Sequence, residues 1–126
     1  MRQDAYNKTM TQKKRYDMAR FFLALSNETR LTLLYLLKER EVCVCELVEA
    51  LGQPQPKISQ HLALLRRVSV VEARREGKWM HYRLTEPPSE EAGRILQAAL
   101  LWVKNNAPHK NRRRACVDGT RAAGSC

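Results

Sequence analysis

The chain has 126 residues, of which 44% are hydrophobic, and a formal charge of +10. That length supports one modest core rather than two domains, and no apolar run approaches the ~18 residues of a membrane span. The N-terminal stretch lacks the apolar region of a signal peptide, so a cytoplasmic chain is expected, whose cysteines are free thiols rather than disulfides.

The charge is unevenly spread. Residues 1–20 hold six basic and two acidic side chains, and residues 108–126 hold five and one. Basic ends of this kind either aid solubility and non-specific phosphate contact or add to affinity for a nucleic acid. Residues 1–12 are polar and expected to be flexible. Met18, Phe22 and Leu25, with Ala19 and Leu23 beside them, then form a helical apolar stripe. Ser26 and Asn27 are good helix caps, and Glu28 suits a first turn. LTLLYLL is apolar on nearly every side, which places the second helix at the centre of the core. Arg30 reads either as a phosphate contact or as a structurally paired arginine.

Beyond Cys43 and Cys45, the spacing of Leu47, Val48 and Leu51 predicts a short helix that starts at Glu46 and stops at Gly52. After the turn residues Gln53 and Pro54, Ile58, Leu62 and Leu65 form an i, i+4, i+7 stripe, and Pro56 fits the first turn. A short helix, a tight turn and a longer helix with polar residues near its start is a helix-turn-helix, whose second helix can reach base edges in the major groove. Gln55, Lys57, Ser59, Gln60 and His61 are the candidate DNA-contacting residues there. His61 also reads as a satisfied structural histidine.

The period then changes to that of strands. Val70–Arg74 and Trp79–Leu84 are rich in β-branched and aromatic residues, and Arg75-Glu76-Gly77-Lys78 supplies a turn, so a β-hairpin is expected. Between residues 57 and 83, seven basic side chains (Lys57, Arg66, Arg67, Arg74, Arg75, Lys78, Arg83) stand against Glu72 and Glu76. Arg75 and Lys78 on the hairpin are candidates for phosphate or minor-groove contact. Pro87 and Pro88 break the chain. Ser89 caps a last helix with a broad apolar face of Ile95, Leu96, Ala99, Leu100, Trp102 and Val103. The first and last stripes either cover the chain's own core or meet a second copy. The folded domain is expected over residues 13–106, with a flexible basic tail over 107–126 that carries Cys116 and Cys126. The fold class is mostly α with a β-hairpin wing, a winged helix-turn-helix.

Cys43 and Cys45 are two residues apart. In regular helix their side chains would point about 200° apart, whereas in extended chain they would share a face. Two readings follow from the residues: small buried hydrophobes, or a thiolate pair for a soft, thiophilic ion.

The motifs ETRLTLL, CVCEL, QPKISQHLALLR and GKWMHYRL, within residues 18–85, resemble the ArsR family of winged-helix metalloregulators, and specifically its arsenic-responsive repressors. The resemblance implies a homodimer through the first and last helices, bound to double-stranded operator DNA. It further implies release when trivalent arsenic, with antimony as a second candidate, is held by Cys43 and Cys45. It implies no organic cofactor, no membrane partner and no catalysis; Cys116 to Arg121 is C-x4-R rather than the C-x5-R of thiol enzymes that reduce arsenate. There are departures. Val48 stands where these sensors often have a third cysteine, leaving Cys116 and Cys126 as candidate third ligands. Gln60 and Ser69 replace an arginine and a glycine common in the family. A cadmium- or lead-responsive repressor, or one responsive to thiol oxidation, is the alternative on the same scaffold. The cadmium and lead sensors add cysteines near the N-terminus, and none precedes Cys43.

Overall fold

A computed structural model describes residues 15–106. The expected flexible ends, residues 1–12 and 107–126, and the cysteines at 116 and 126 lie outside the described residues.

Helix α1 (Met18–Leu25) is capped by Asp17, whose carboxylate accepts from the Arg20 amide at 3.0 Å. It ends at Ser26, which donates through N and Oγ to the Leu23 carbonyl. The next residue, Asn27, is extended and caps α2 (Glu28–Leu37) by accepting from the Arg30 amide at 3.1 Å. The chain thus turns a tight corner with one cap on each side. Leu33, Leu34, Leu36 and Leu37 are buried, as a helix apolar all round requires.

Strand β1 (Val42–Cys43) leads directly into α3 (Val44–Leu51), which Gly52 stops at a φ of 64°. Helix α4 (Gln55–Arg67) follows Pro54, with Pro56 in its first turn and Ile58, Leu62 and Leu65 fully buried. Strands β2 (Val71–Glu76) and β3 (Trp79–Leu84) form the hairpin, and α5 (Glu90–Asn106) packs against α2. Ser89 Oγ caps α5 by accepting from the Ala92 amide at 3.1 Å.

Four sequence expectations need correction. The helix entering the helix-turn-helix starts at Val44 rather than Glu46, because Cys43 itself serves as its extended N-cap. The hairpin is longer than expected, with Glu76 paired to Trp79 across a two-residue Gly77-Lys78 turn. Gly77 has a φ of 65°, which suits the primed turns that match strand twist. In α1 the fully buried residues are Phe21 and Ala24, while Phe22 and Leu23 face outward. In α5 the broad apolar face divides: Ala92, Leu96, Leu100 and Val103 line the core, and Leu101 and Trp102 are exposed. Apolar residues on both sides of these helices hid which side meets the core.

The sheet has three strands in the order β1-β3-β2, all antiparallel. Val42 pairs with Tyr82 and Cys43 with His81. Two residues are too few to leave a periodic signal in sequence, so β1 was not anticipated.

Between α4 and β2 the Ser69 amide donates to the Arg66 carbonyl and the Val70 amide to the Leu65 carbonyl. This is a Schellman closure, with Leu65 and Val70 both fully buried. The closure needs a left-handed residue, and Ser69 fills it at a φ of 63°. Tyr16 Oη donates to the Val68 carbonyl at 2.5 Å, tying the entry to α1 to this corner. Because only glycine enters the left-handed region without a steric cost, Ser69→Gly is expected to stabilise the fold by about 0.5–1 kcal/mol. Thermal denaturation should then show a midpoint higher by roughly 2–6 °C.

Candidate nucleic-acid interface and thiol pair

Helix α4 divides cleanly into two faces. Its buried stripe fixes it on the core, while Gln55, Lys57 and Gln60 are exposed along the first two turns. Ser59 is half-buried and its Oγ accepts from Gln55 Nε2 at 3.4 Å, so these two candidates act as a linked pair. The preceding turn is held by Gln53 Nε2, which donates to Thr29 Oγ1 on α2 at 3.0 Å.

His61 is placed differently from its neighbours. It is half-buried, and Arg30 Nη1 lies 3.1 Å from its Nδ1. Arg30 is always a donor, so Nδ1 accepts and the ring proton sits on Nε2. The same guanidinium donates from Nε to the Ala24 carbonyl at 2.7 Å and from Nη2 to the Leu23 carbonyl at 3.1 Å. Arg30 therefore satisfies the open carbonyl end of α1 and braces the recognition helix in one contact. Of the two sequence readings of Arg30, the structurally paired one describes what is observed.

Burial, then the charges of Arg30 and Lys57, hold the His61 pKa below its ordinary value. A histidine with a depressed folded pKa stabilises the native state fully above its unfolded pKa of about 6.5 and loses that contribution as pH falls toward the folded value. His61→Gln removes the titration. The loss of stability on acidification below about pH 6.5 should therefore be shallower in the variant, as measured by urea unfolding at a series of pH values.

On the wing, Arg75 and Lys78 are exposed, and Lys78 Nζ lies 5.2 Å from the Trp79 ring centroid. Two of the seven basic residues counted from sequence do not contribute open charge. Arg83 is paired with Glu72 across the hairpin, and Arg74 donates from Nε and Nη2 to both carboxylate oxygens of Glu41, at 3.0 and 2.6 Å. Arg74 holds the Glu41 carboxyl below its usual range. The exposed positive field is left to Lys57, Arg66, Arg67, Arg75 and Lys78.

Cys43 ends β1 with φ −74° and ψ 146°, and Cys45 is the second residue of α3. Neither regular helix nor regular strand describes the pair. The change of direction at the N-cap brings the two Sγ atoms to 3.0 Å. Two sulfurs bound ~2.3 Å from one ion at a right angle would lie roughly 3.3 Å apart, so small adjustments would let both reach one soft ion. Cys43 is buried and carries a free thiol, whereas Cys45 is half-buried and disulfide-bonded, which corrects the expectation of free thiols throughout; Cys45 offers a ligand sulfur only once reduced. Among the described residues no group of three or more His, Cys, Asp or Glu side chains is placed to hold a metal ion. The adjacent Glu46 is only 4% exposed and is met by Arg40 Nη2 at 2.5 Å, which locks the first turn of α3 to the loop before β1. Sequence reasoning missed this pair, because an ELV segment at helical spacing shows no sign that its carboxylate points inward.

An exposed helix seated by a helix-turn-helix and flanked by a three-stranded wing defines a winged-helix DNA-binding regulator. The sequence profile of the bacterial regulatory proteins of the arsR family matches residues 27–73. The chain is 49% identical over 79 residues to the arsenical resistance operon repressor of Escherichia coli strain K12, covering 62% of this chain and 68% of the relative. Among solved structures, the transcriptional repressor BigR from Xylella fastidiosa superimposes with a TM-score of 0.61 at 31% identity, covering 87% of this chain and all of that one. The homodimeric winged helix-turn-helix domain of Mb0332 from Mycobacterium bovis gives 0.57 at 31% identity, covering 74% and 83%. The chain belongs to the arsR family of bacterial regulatory proteins. No helix among the described residues is long and apolar enough to cross a membrane.

Proposed function

We infer that this chain is a homodimeric cytoplasmic repressor that binds double-stranded operator DNA and leaves it when Cys43 and Cys45 hold trivalent arsenic, or antimony. The observation that carries this reading is the approach of the two sulfurs to 3.0 Å at the joint between the wing sheet and the helix-turn-helix. Similarity to an arsenical resistance repressor supports the choice of ion. Arsenous acid is neutral, and once a cellular thiol has reduced the Cys45 disulfide, itself being oxidised to a disulfide, each sulfur bond to arsenic releases one water formed from the thiol proton and a displaced hydroxide. The thiols supply soft donors that ordinary hard cations do not favour.

Lys57 and Gln60 face outward for the major groove, Gln55 and Ser59 supply a linked polar pair beside them, and His61 offers its Nε2 proton. Arg75 and Lys78 meet phosphate or the minor groove. Replacing Gln60 changes sequence preference, whereas replacing Lys78 weakens all sequences alike.

Exposed Phe22, Leu23, Leu101 and Trp102, each at least 50% accessible, favour a two-fold interface through α1 and α5. Trp102→Glu is expected to shift the protein from dimer to monomer in sedimentation at micromolar concentration and to lower operator affinity by at least tenfold. Unchanged sedimentation would refute this interface.

For the switch, Cys43→Ser and Cys45→Ser should each bind operator DNA within about threefold of the parent but fail to dissociate in trivalent arsenic. A release of tenfold to a hundredfold corresponds to about 1.4–2.8 kcal/mol of coupling, within the usual range. A gel-shift titration with arsenic, antimony, cadmium and peroxide as separate arms tests this. Release of the double Cys43/Cys45 variant by arsenic would place the sensor elsewhere; release of the parent by peroxide or cadmium but not arsenic would favour the alternative inducers.

A further inference from the structure

We propose that the thiol segment acts on the wing directly, as the wing's third strand, and that Arg74 is the positioning residue that couples the two. The inference rests on Cys43 and Cys45 as the arsenic-sensing pair. It adds a second route to DNA beside the one through α3 and α4.

The register supplies the geometry. Cys43 pairs with His81 on β3, and His81 pairs on its other side with Arg74 on β2, so the three residues form one row across the sheet. Residues directly opposite one another project to the same face. Glu41 lies just before β1, and its carboxylate receives both Arg74 donors. Since β3 lies between β1 and β2, this ion pair reaches over the middle strand and fastens the outer two together. Arg74 Nη2 also donates to Glu76 Oε1 at 3.3 Å, and His81 Nε2 lies 3.5 Å from the same oxygen.

The row lies at the base of the exposed part of the wing. Arg75 follows Arg74 directly, and Lys78 stands three residues before His81, about 10 Å along the strand. A displacement of Cys43 is delivered to this base by the backbone ladder, and the Glu41–Arg74 clamp makes β2 follow β1. Without the clamp the ladder alone carries the movement. A two-oxygen arginine–carboxylate contact has the directionality that a single lysine contact lacks.

The test compares parent, Glu41→Gln, Arg74→Gln and the double variant for operator affinity with and without trivalent arsenic. A merely structural pair would change both affinities alike and leave their ratio unmoved. The expected result is a ratio reduced roughly two- to fivefold in each single variant, with no further fall in the double variant. Hydrogen exchange of residues 71–84 in DNA-free protein is the second measurement. Arsenic should alter wing exchange in the parent, and that alteration should shrink in Glu41→Gln. An unchanged ratio, additive single effects, or identical wing exchange in parent and Glu41→Gln would overturn the coupling. Ultraviolet absorption of sulfur–arsenic bonds separates the two levels of the argument. If the parent forms them and leaves DNA while the variants respond identically, the coupling alone fails; if the parent forms none, the sensing role of Cys43 and Cys45 fails with it.

Discussion

Cys43 ends a strand and caps a helix with the same backbone conformation. Extended φ and ψ keep it in register with His81 on β3, and they also let the next residue begin α3. The sheet, the helix-turn-helix and the thiol pair all depend on that one joint. Moving the helix start forward by a turn would unpair β1, and carrying the strand on through Cys45 would delay the helix that seats α4. The 3.0 Å sulfur approach is a property of this change of direction. It lets an i, i+2 pair converge without the helical distortion that regular geometry would demand.

The joint is braced by charge as well as by backbone. Arg40 reaches the buried Glu46 in the first turn of α3, and Glu41 reaches Arg74 on the far strand of the wing. A carboxylate as buried as Glu46 is tolerated only when its charge is met, and removing Arg40 would leave it stranded. These contacts fix the loop before β1 from two sides. They also sort the basic residues of the wing into those that hold the fold and those that present charge to a polyanion. Net charge counted along the sequence cannot make that distinction; Arg74 and Arg75 are adjacent and play opposite parts.

Much of the architecture was legible because it follows from local rules. The Ile58, Leu62 and Leu65 stripe, the Gly52 stop, the Asn27 and Ser89 caps and the glycine turn of the wing each depend on residues within one or two turns of each other. What was hidden depends on distant partners. Helices α1 and α5 carry apolar side chains on two faces, and only packing shows that Phe21 and Leu100 turn inward while Phe22 and Trp102 do not. Strand β1 is a strand because β3 is beside it, not because two residues have a period. His61 was weighed both as a groove contact and as a structural residue. Its approach to Arg30, 31 positions away, has no local signature. For the thiols, sequence spacing gave two limiting geometries, and the observed one lies between them.

These features also bear on how a small local change reaches DNA. The recognition helix is seated by fully buried Ile58, Leu62 and Leu65, by the Gln53–Thr29 contact and by Arg30 through His61. Close-packed contacts of this kind resist gradual deformation, so α4 moves as a body or not at all. The wing is tied down less. Its tip is a two-residue turn with exposed neighbours, and its base is held by a short ladder and by ion pairs open to solvent. A movement of fixed energy at Cys43 therefore displaces the wing further than the helix. On the proposed reading, in which Arg75 and Lys78 meet phosphate, displacement there would lower affinity for every operator alike, leaving sequence preference to α4.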